Sequence, residues 1–203
     1  MFIKDQILLK YNIGTNESFL LDNFVSYIKE YNTHTNIVGT STLEDPWNSH
    51  ILDSLQIMPL IKERQLSIID MGSGAGLPGL VLSIMDFKNV TLVDSNGKKI
   101  RFLEIFKNKH NLDYITLYNR LEKIKNLKFD IVISRALANL EKLFSYSQNF
   151  IKENTVLIFL KGKTVNEEIK IAEKKWNFKF EKKQSVSDPR GSILIIKELK
   201  KND

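Results

Sequence analysis

Ile68-Ile69-Asp70-Met71-Gly72-Ser73-Gly74-Ala75-Gly76-Leu77-Pro78-Gly79 is the stretch that decides how this chain folds. A short apolar run ends in an acid and gives way to glycine at every second position. An apolar helical pattern (Leu80, Val81, Leu82, Ile84) follows at once. The order is strand, tight glycine turn, helix, the arrangement that nucleotide-type cofactor sites use. Glycine suits such a turn because it tolerates positive φ and because its missing Cβ lets a ligand touch the backbone. Alternating glycines also weaken a loop entropically, so three of them point to close approach by a ligand rather than to a bare turn.

Two patterns overlap here. Gly74, Gly76 and Gly79 satisfy the G-x-G-x-x-G dinucleotide fingerprint. Gly72, Gly74 and Gly76 satisfy a D-x-G-x-G-x-G form that resembles motif I of S-adenosylmethionine (SAM) methyltransferases. Both readings need an acid at the end of the next strand to grip ribose hydroxyls, and Leu92-Val93-Asp94 supplies it, 18 residues after Gly76.

Outward from the glycine stretch, strands and helices alternate, which predicts a mainly parallel sheet covered on both faces. Strands are expected at 67–70, 90–94, 114–118, 129–134 and 155–161, with helices near 98–110, 137–151 and 165–175. Two last apolar runs, 178–186 and 192–199, flank the turn signal Ser187-Asp188-Pro189-Arg190-Gly191 and read as an antiparallel hairpin. Upstream, Leu20, Leu21, Phe24, Val25, Ile28 and Tyr31 fall at helical spacing over residues 17–31. A second helix is expected from about Pro46 to Pro59. Five alternating strands closed by a hairpin resemble the seven-stranded SAM methyltransferase sheet. A nicotinamide-dependent oxidoreductase is the alternative from another class, and it fits less well because only ~65 residues remain for a substrate domain. The expected organisation is a helical extension (1–65) packed on a doubly wound, Rossmann-like α/β domain (66–203).

Composition limits the chemistry. The chain has 203 residues and no cysteine, which removes disulfides, thiolate metal sites and cysteine nucleophiles. Neither a secretory start nor a membrane-length apolar run is present, so a cytoplasmic protein without a membrane partner is expected. Net charge is +6 with a pI near 9.3, which suits a nucleic-acid partner. Only five of the 30 basic residues are arginine, so a lysine-rich composition accounts for part of that charge.

In a doubly wound sheet, ligands sit beyond the carboxyl ends of the strands. By that rule Arg120, Arg135 and Lys161 should meet Asp70, Asp94 and Glu122 at one rim. Arginine in a lysine-dominated chain is notable there because it bonds in a planar, bidentate way that lysine cannot match. His50 and Asp53, at i and i+3, share one helix face. His34 and His110 lie in unrelated contexts, and no metal-ligand cluster is expected.

Several of these pieces occur together in one family. Tyr31-Asn32 with Asn36-Ile37, His50-Ile51-Leu52-Asp53-Ser54-Leu55, the Asp70–Gly79 stretch, Asp94-Ser95 with Lys98-Lys99 and Arg101-Phe102-Leu103, Arg120-Leu121-Glu122, Ser134-Arg135-Ala136 and Lys161-Gly162 stand in this order. Over residues 31–163 the chain resembles the bacterial small-subunit rRNA (guanine-N7)-methyltransferases, also called glucose-inhibited division protein B. The resemblance implies methyl transfer from SAM to N7 of a guanine in 16S rRNA, with naked rRNA or an assembling small subunit as the partner. It implies SAM contacts at Gly72, Leu77, Leu121, Glu122 and Arg135. Gly74, Gly76 and Asp94 join them on the physical grounds above. RNA-positioning candidates are Arg120, Lys161, His50 and Asp53. A monomer is expected. The alternatives are a SAM methyltransferase acting on another RNA or a small molecule, and the oxidoreductase. Guanine N7 bears a lone pair and no proton, so the expected mechanism is orientation without a general base.

Overall fold

The apolar run ending at Asp70 becomes β1 (Ser67–Met71), the centre of a mixed sheet in a computed structural model that describes residues 2–202. β1 pairs in parallel with β2 (Asn89–Asp94) on one side and β4 (Ile131–Arg135) on the other. β3 (Ile115–Tyr118) closes one edge, next to β2. Beyond β4 come β5 (Val156–Lys161), β7 (Ser192–Lys201) and the outer strand β6 (Trp176–Gln184). The order is β3-β2-β1-β4-β5-β7-β6, with β7 antiparallel to both neighbours. Dinucleotide-binding dehydrogenase sheets run 3-2-1-4-5-6. Here an antiparallel strand stands beside β5, which disfavours the oxidoreductase alternative.

The central strands are apolar on both faces, as a sheet covered on both sides requires. One core lies between the sheet and α1 (Lys4–Lys10), α2 (Thr15–Asn32), α4 (Gly79–Ile84) and α5 (Gly97–His110). It holds Ile7, Leu21, Phe24, Ile28, Leu80, Phe102 and Phe106. The other lies under α6 (Leu140–Ser147) and α7 (Val165–Ala172) and holds Leu143, Phe144, Phe159, Ile169 and Trp176. The helices preceding β1 therefore share a core with the sheet. Phe24 and Tyr27 of α2 pack on Phe102 and Phe106 of α5.

The elements differ from expectation at a few points. α1 precedes every element anticipated. The helix expected at 137–151 starts only at Leu140, where Asn139 accepts the Lys142 N–H at 3.0 Å and so caps it. The segment expected as a helix over 46–59 is a π-helical turn (Trp47–Leu52) running into a short α3 (Asp53–Leu55). That wide turn buries His50 and presents the Ser49 carbonyl to Arg135.

The strand order reverses between β1 and β4, and a crevice opens beyond their carboxyl ends. The π-helical turn and the β6–β7 connection both reach over that end.

Candidate active site

A cleft of about 830 Å³ occupies the crevice. Its floor is the glycine loop after β1. Its walls are residues 37–42, the π-helical turn, the ends of β4 and β5, and the β6–β7 turn.

The four glycines of the loop have different duties. A Cβ at Gly72 would lie 2.5 Å from Leu137 Cδ1, and one at Gly76 would lie 2.7 Å from Leu80 Cβ and 2.9 Å from Leu103 Cδ2. A Cβ at Gly79 would lie 2.8 Å from an Asp70 carboxylate oxygen. These three are small because protein packs against them. Gly74 differs: at φ +58° its Cβ position has no atom nearer than 3.9 Å, and it faces the cleft. The backbone there is bare toward open space, which is what a ligand lying on the loop requires. The Lys99 ammonium stands 3.9 Å from that position. Ser73 lines the same floor, and its buried hydroxyl has no hydrogen-bond partner. An open Cβ position, an unpartnered hydroxyl and a cation together fit a cofactor with a charged, polar tail.

Asp94 at the end of β2 holds this loop. One carboxylate oxygen accepts the Gly74 N–H at 3.0 Å and the other accepts the Asn96 N–H at 2.8 Å. The group remains half-buried, with lone pairs free for a ribose hydroxyl.

Asp70 does not stand on the rim that the strand-end rule assigns it. It is fully buried and accepts the Gly79 N–H at 2.8 Å, tying the loop to the start of α4. Burial raises its carboxyl to about 7, against the opposing pull of the Gly79 N–H and the Arg135 charge. Nor do the three expected cations share one rim. Arg120 is exposed and lies outside the cleft lining. Lys161 lines the cleft, but its ammonium sits 2.6 Å from Glu168 and donates to the Ala138 carbonyl at 2.8 Å. Its side chain is only 8% exposed. Burial of that amine is tolerable only because the pair neutralises it.

Arg135 also lies inside a network. Its guanidinium donates to the Ser49 carbonyl and to Asp53, each at 2.9 Å, and to His50 Nδ1 at 3.4 Å. Because Arg135 can only donate, Nδ1 accepts and the ring proton sits on Nε2. Nε2 then donates to the Thr42 hydroxyl at 3.0 Å, which donates to the Gly39 carbonyl at 2.5 Å. Burial, with the Arg135 charge second, pushes His50 down to about 4, so the ring is neutral. Asp53 is engaged in turn, also accepting from Gln56 Nε2 at 2.8 Å and from the Ser187 hydroxyl at 2.5 Å. Gln56 also accepts the Val186 N–H at 2.9 Å, and the Asn48 amide donates to the Ser187 carbonyl at 2.9 Å. The β6–β7 turn is thereby fastened to the π-helical segment.

Of the site residues expected from sequence, Gly72, Gly74, Leu77, Arg135, His50, Asp53 and Lys161 line the cleft. Gly76 lies behind it, and Asp94 does not line it either but reaches it only through its bond to the Gly74 N–H. Leu121 is buried in the second core, and Glu122 is exposed on the 3₁₀ turn after β3, so neither lines the cleft. Sequence reasoning misses Lys99, Ser73, Thr42 and Ser187. Lys99 carries a signal in the Lys98-Lys99 pair, Ser73 in the glycine stretch and Ser187 in the turn motif, while Thr42 carries none. Among the described residues no cluster of three His, Asp or Glu is placed to hold a metal ion.

A family model described as rRNA small subunit methyltransferase G matches residues 18–195. The ribosomal RNA small subunit methyltransferase G of Paramagnetospirillum magneticum is 32% identical over 195 residues, covering 96% of this chain and 95% of that protein. The protein of the same name from Rickettsia prowazekii is 37% identical over 181 residues, covering 89% and 94%. Among solved structures, a ribosomal protein L11 methylase from Lactobacillus delbrueckii superposes with TM-score 0.59 at 21% identity, over 71% of this chain and 75% of the other, a likeness of fold.

Proposed function

The chain belongs to the rRNA small subunit methyltransferase G family, and from that premise we propose that it methylates N7 of a guanine in 16S rRNA, using SAM. SAM supplies an electrophilic methyl group on a sulfonium. Everything else falls to the residues of the cleft and to Asp94, which lies outside its lining and holds the glycine loop that floors it. Gly74 and Ser73 offer bare backbone and a free hydroxyl to the cofactor's tail, with Lys99 beside them to meet its carboxylate. Asp94 holds the loop in shape and offers its remaining lone pairs to the ribose. Gly72 and Leu77 complete the floor.

One observation carries the choice of atom. The cleft lining contains His50, Asp53 and Asp188 as its only histidine or acids among the described residues, and each is already engaged. His50 uses both nitrogens, Asp53 accepts from Arg135, Gln56 and Ser187, and Asp188 accepts from Arg190 through its backbone N–H at 2.9 Å and two guanidinium donors at 3.0 and 3.1 Å. Among these groups none is free to remove a proton. Methylation at N1, N2 or a ribose hydroxyl requires that removal, whereas N7 presents a lone pair. Orientation of N7 in line with the methyl group is then sufficient chemistry. Reaching N7 also calls for an unpaired or splayed guanine, because side chains cannot enter the deep major groove of A-form RNA.

The experiment follows from the product. N7-methylguanosine carries a fixed ring charge, so borohydride reduction and aniline cleave the chain there. Small-subunit RNA treated with this protein and SAM should be cut at one position. A methyl mark that survives reduction and aniline refutes N7. On this reading the protein acts in the cytoplasm, as a monomer, on rRNA or an assembling small subunit.

A further inference from the structure

Tyr118 does not line the cleft, and it is the most exposed of the large exposed aromatic side chains among the described residues. It ends β3, the edge strand, in register with Asp94 on β2, and it is 68% exposed. The ring lies over the start of α5: a Cβ at Gly97 would sit 3.5 Å from its Cζ and 3.7 Å from its hydroxyl oxygen. The hydroxyl end of the ring therefore lies against the helix terminus, and most of the side chain is open to solvent. Lone exposed apolar residues need no explanation, but this one has charged company. Arg101 follows Gly97 by one turn on the same face of α5, Lys98 is the second residue of that helix, and Arg120 lies two residues beyond Tyr118. All three cations are exposed and none forms an ion pair among the described residues. Against them stands Glu122 as the exposed acid, while Asp94 is turned to Gly74 and Asn96. Asn119, next in the chain, donates its N–H to the carbonyl of Asp94 at 3.2 Å, and Asp94 in turn holds the Gly74 loop of the cleft floor.

We propose that Tyr118 with Lys98, Arg101 and Arg120 forms a docking platform for single-stranded RNA next to the cleft. It rests on the reading that this chain methylates rRNA. A base of a nucleotide flanking the target stacks on the tyrosine ring, and the three cations take the adjoining phosphates. A flat ring on a rigid strand end accepts any base, so the platform supplies affinity and registers the strand without reading sequence. The cations add the salt-dependent part of binding.

The test compares Tyr118→Ala, Tyr118→Phe and the double variant Lys98→Ala/Arg101→Ala with wild type. Binding to protein-free small-subunit rRNA is measured by filter retention across a salt series, and SAM binding by calorimetry. Tyr118→Ala should weaken RNA binding about tenfold, equivalent to ~1.4 kcal/mol, with SAM affinity unchanged. Tyr118→Phe should bind as wild type. The double variant should lower the salt slope by about 0.7 for each phosphate it no longer neutralises. Unaltered RNA binding by Tyr118→Ala, in a protein whose wild type binds and methylates the RNA, overturns the platform alone. A parallel fall in SAM affinity overturns it too, by assigning the ring to the cofactor. Wild type that neither binds nor methylates the RNA overturns the underlying reading and the platform with it.

Discussion

Replacing Asp53 by alanine should destabilise the protein by about 3 kcal/mol. The carboxylate accepts from Arg135 at 2.9 Å, Gln56 at 2.8 Å and Ser187 at 2.5 Å. Breaking a fully buried ion pair costs about 3–5 kcal/mol because the surviving charge stays buried, whereas an exposed pair is worth less than about 1 kcal/mol. Here the side chains of Arg135 and Asp53 are 20% and 18% exposed, nearer the buried limit. Discounting the ion pair to about 2 kcal/mol and adding two hydrogen bonds from uncharged donors, worth about 1 kcal/mol together after partial rehydration, gives the total. For a chain of this size that is a fall of roughly 6–12 °C in melting temperature. Urea denaturation read by tryptophan fluorescence and far-UV dichroism measures it directly. Asp53→Asn keeps the shape and part of the bonding and should cost roughly 1 kcal/mol. Residues 53 and 187 are 134 positions apart, so a double-mutant cycle between Asp53→Ala and Ser187→Ala isolates the latch between the π-helical turn and the hairpin. Its coupling should be about 0.5–1.5 kcal/mol. Asp53→Ala within about 0.5 kcal/mol of wild type, or a coupling of zero, refutes the argument that this network holds the cleft wall.

Two buried groups should oppose each other in the pH dependence of stability. His50 is held near 4 in the fold, below its ordinary 6.5, so the unfolded chain binds more protons and stability is lost as pH falls from about 6.5 towards 4. Asp70 is held near 7, above its ordinary 3.8, so its contribution is fully present below 3.8 and is lost as pH rises towards 7. Urea titrations from pH 4 to 7 should therefore show a steeper rise of stability with pH in Asp70→Asn than in wild type, and a shallower rise or a fall in His50→Gln; equal slopes in all three refute both environments. Gly74→Ala should lose at least tenfold in SAM affinity yet remain folded, at a cost of about 1–2 kcal/mol for its left-handed backbone, while Gly76→Ala should unfold more readily because its Cβ meets Leu80 and Leu103; calorimetry and thermal melts that rank the two the other way sink the division of duties. Asp94→Ala should weaken SAM and S-adenosylhomocysteine equally, since both carry the same ribose, and an effect on one alone argues against the ribose contact.

The central parallel strands are legible in the sequence because they are short, mostly apolar runs bounded by polar residues, and a covered parallel sheet demands that pattern. The hairpin is legible from the Ser187–Gly191 turn and the apolar Ile193–Ile196 run, while its outer strand β6 is mostly polar. α1 is not: it has seven residues, no side-chain cap, and buries only Ile7, which leaves no periodicity to read. The π-helical turn reads as an ordinary helix because its apolar residues (Ile51, Leu52, Leu55) satisfy helical spacing, while the wider bonding that aims the Ser49 carbonyl at Arg135 leaves no mark on that spacing. The glycine motif locates the cleft floor, but it cannot say which glycine faces a ligand. That depends on what surrounds each Cβ position, namely Leu137, Leu80, Leu103 and Asp70, most of which lie outside the motif.

Charge is the least legible quantity, and it changes what the cleft can do. Arg135 is neutralised by Asp53, 82 positions upstream, and Lys161 by Glu168 on α7, pairings no local pattern reveals. Strand-end position alone points both cations at RNA, yet within the fold their charge is already answered. Net charge of +6 must therefore draw RNA from elsewhere on the surface. Lys98, Arg101 and Arg120 are exposed cations without ion-pair partners among the described residues, and none of them lines the cleft. The expectation for Lys161 reverses accordingly. Lys161→Ala should leave Glu168 buried without its partner and cost stability, while the salt slope of RNA binding stays as in wild type. Arg120→Ala should do the opposite. If Lys161→Ala flattens the slope and Arg120→Ala does not, the ion pair with Glu168 opens when RNA arrives, and the cleft wall itself holds phosphate.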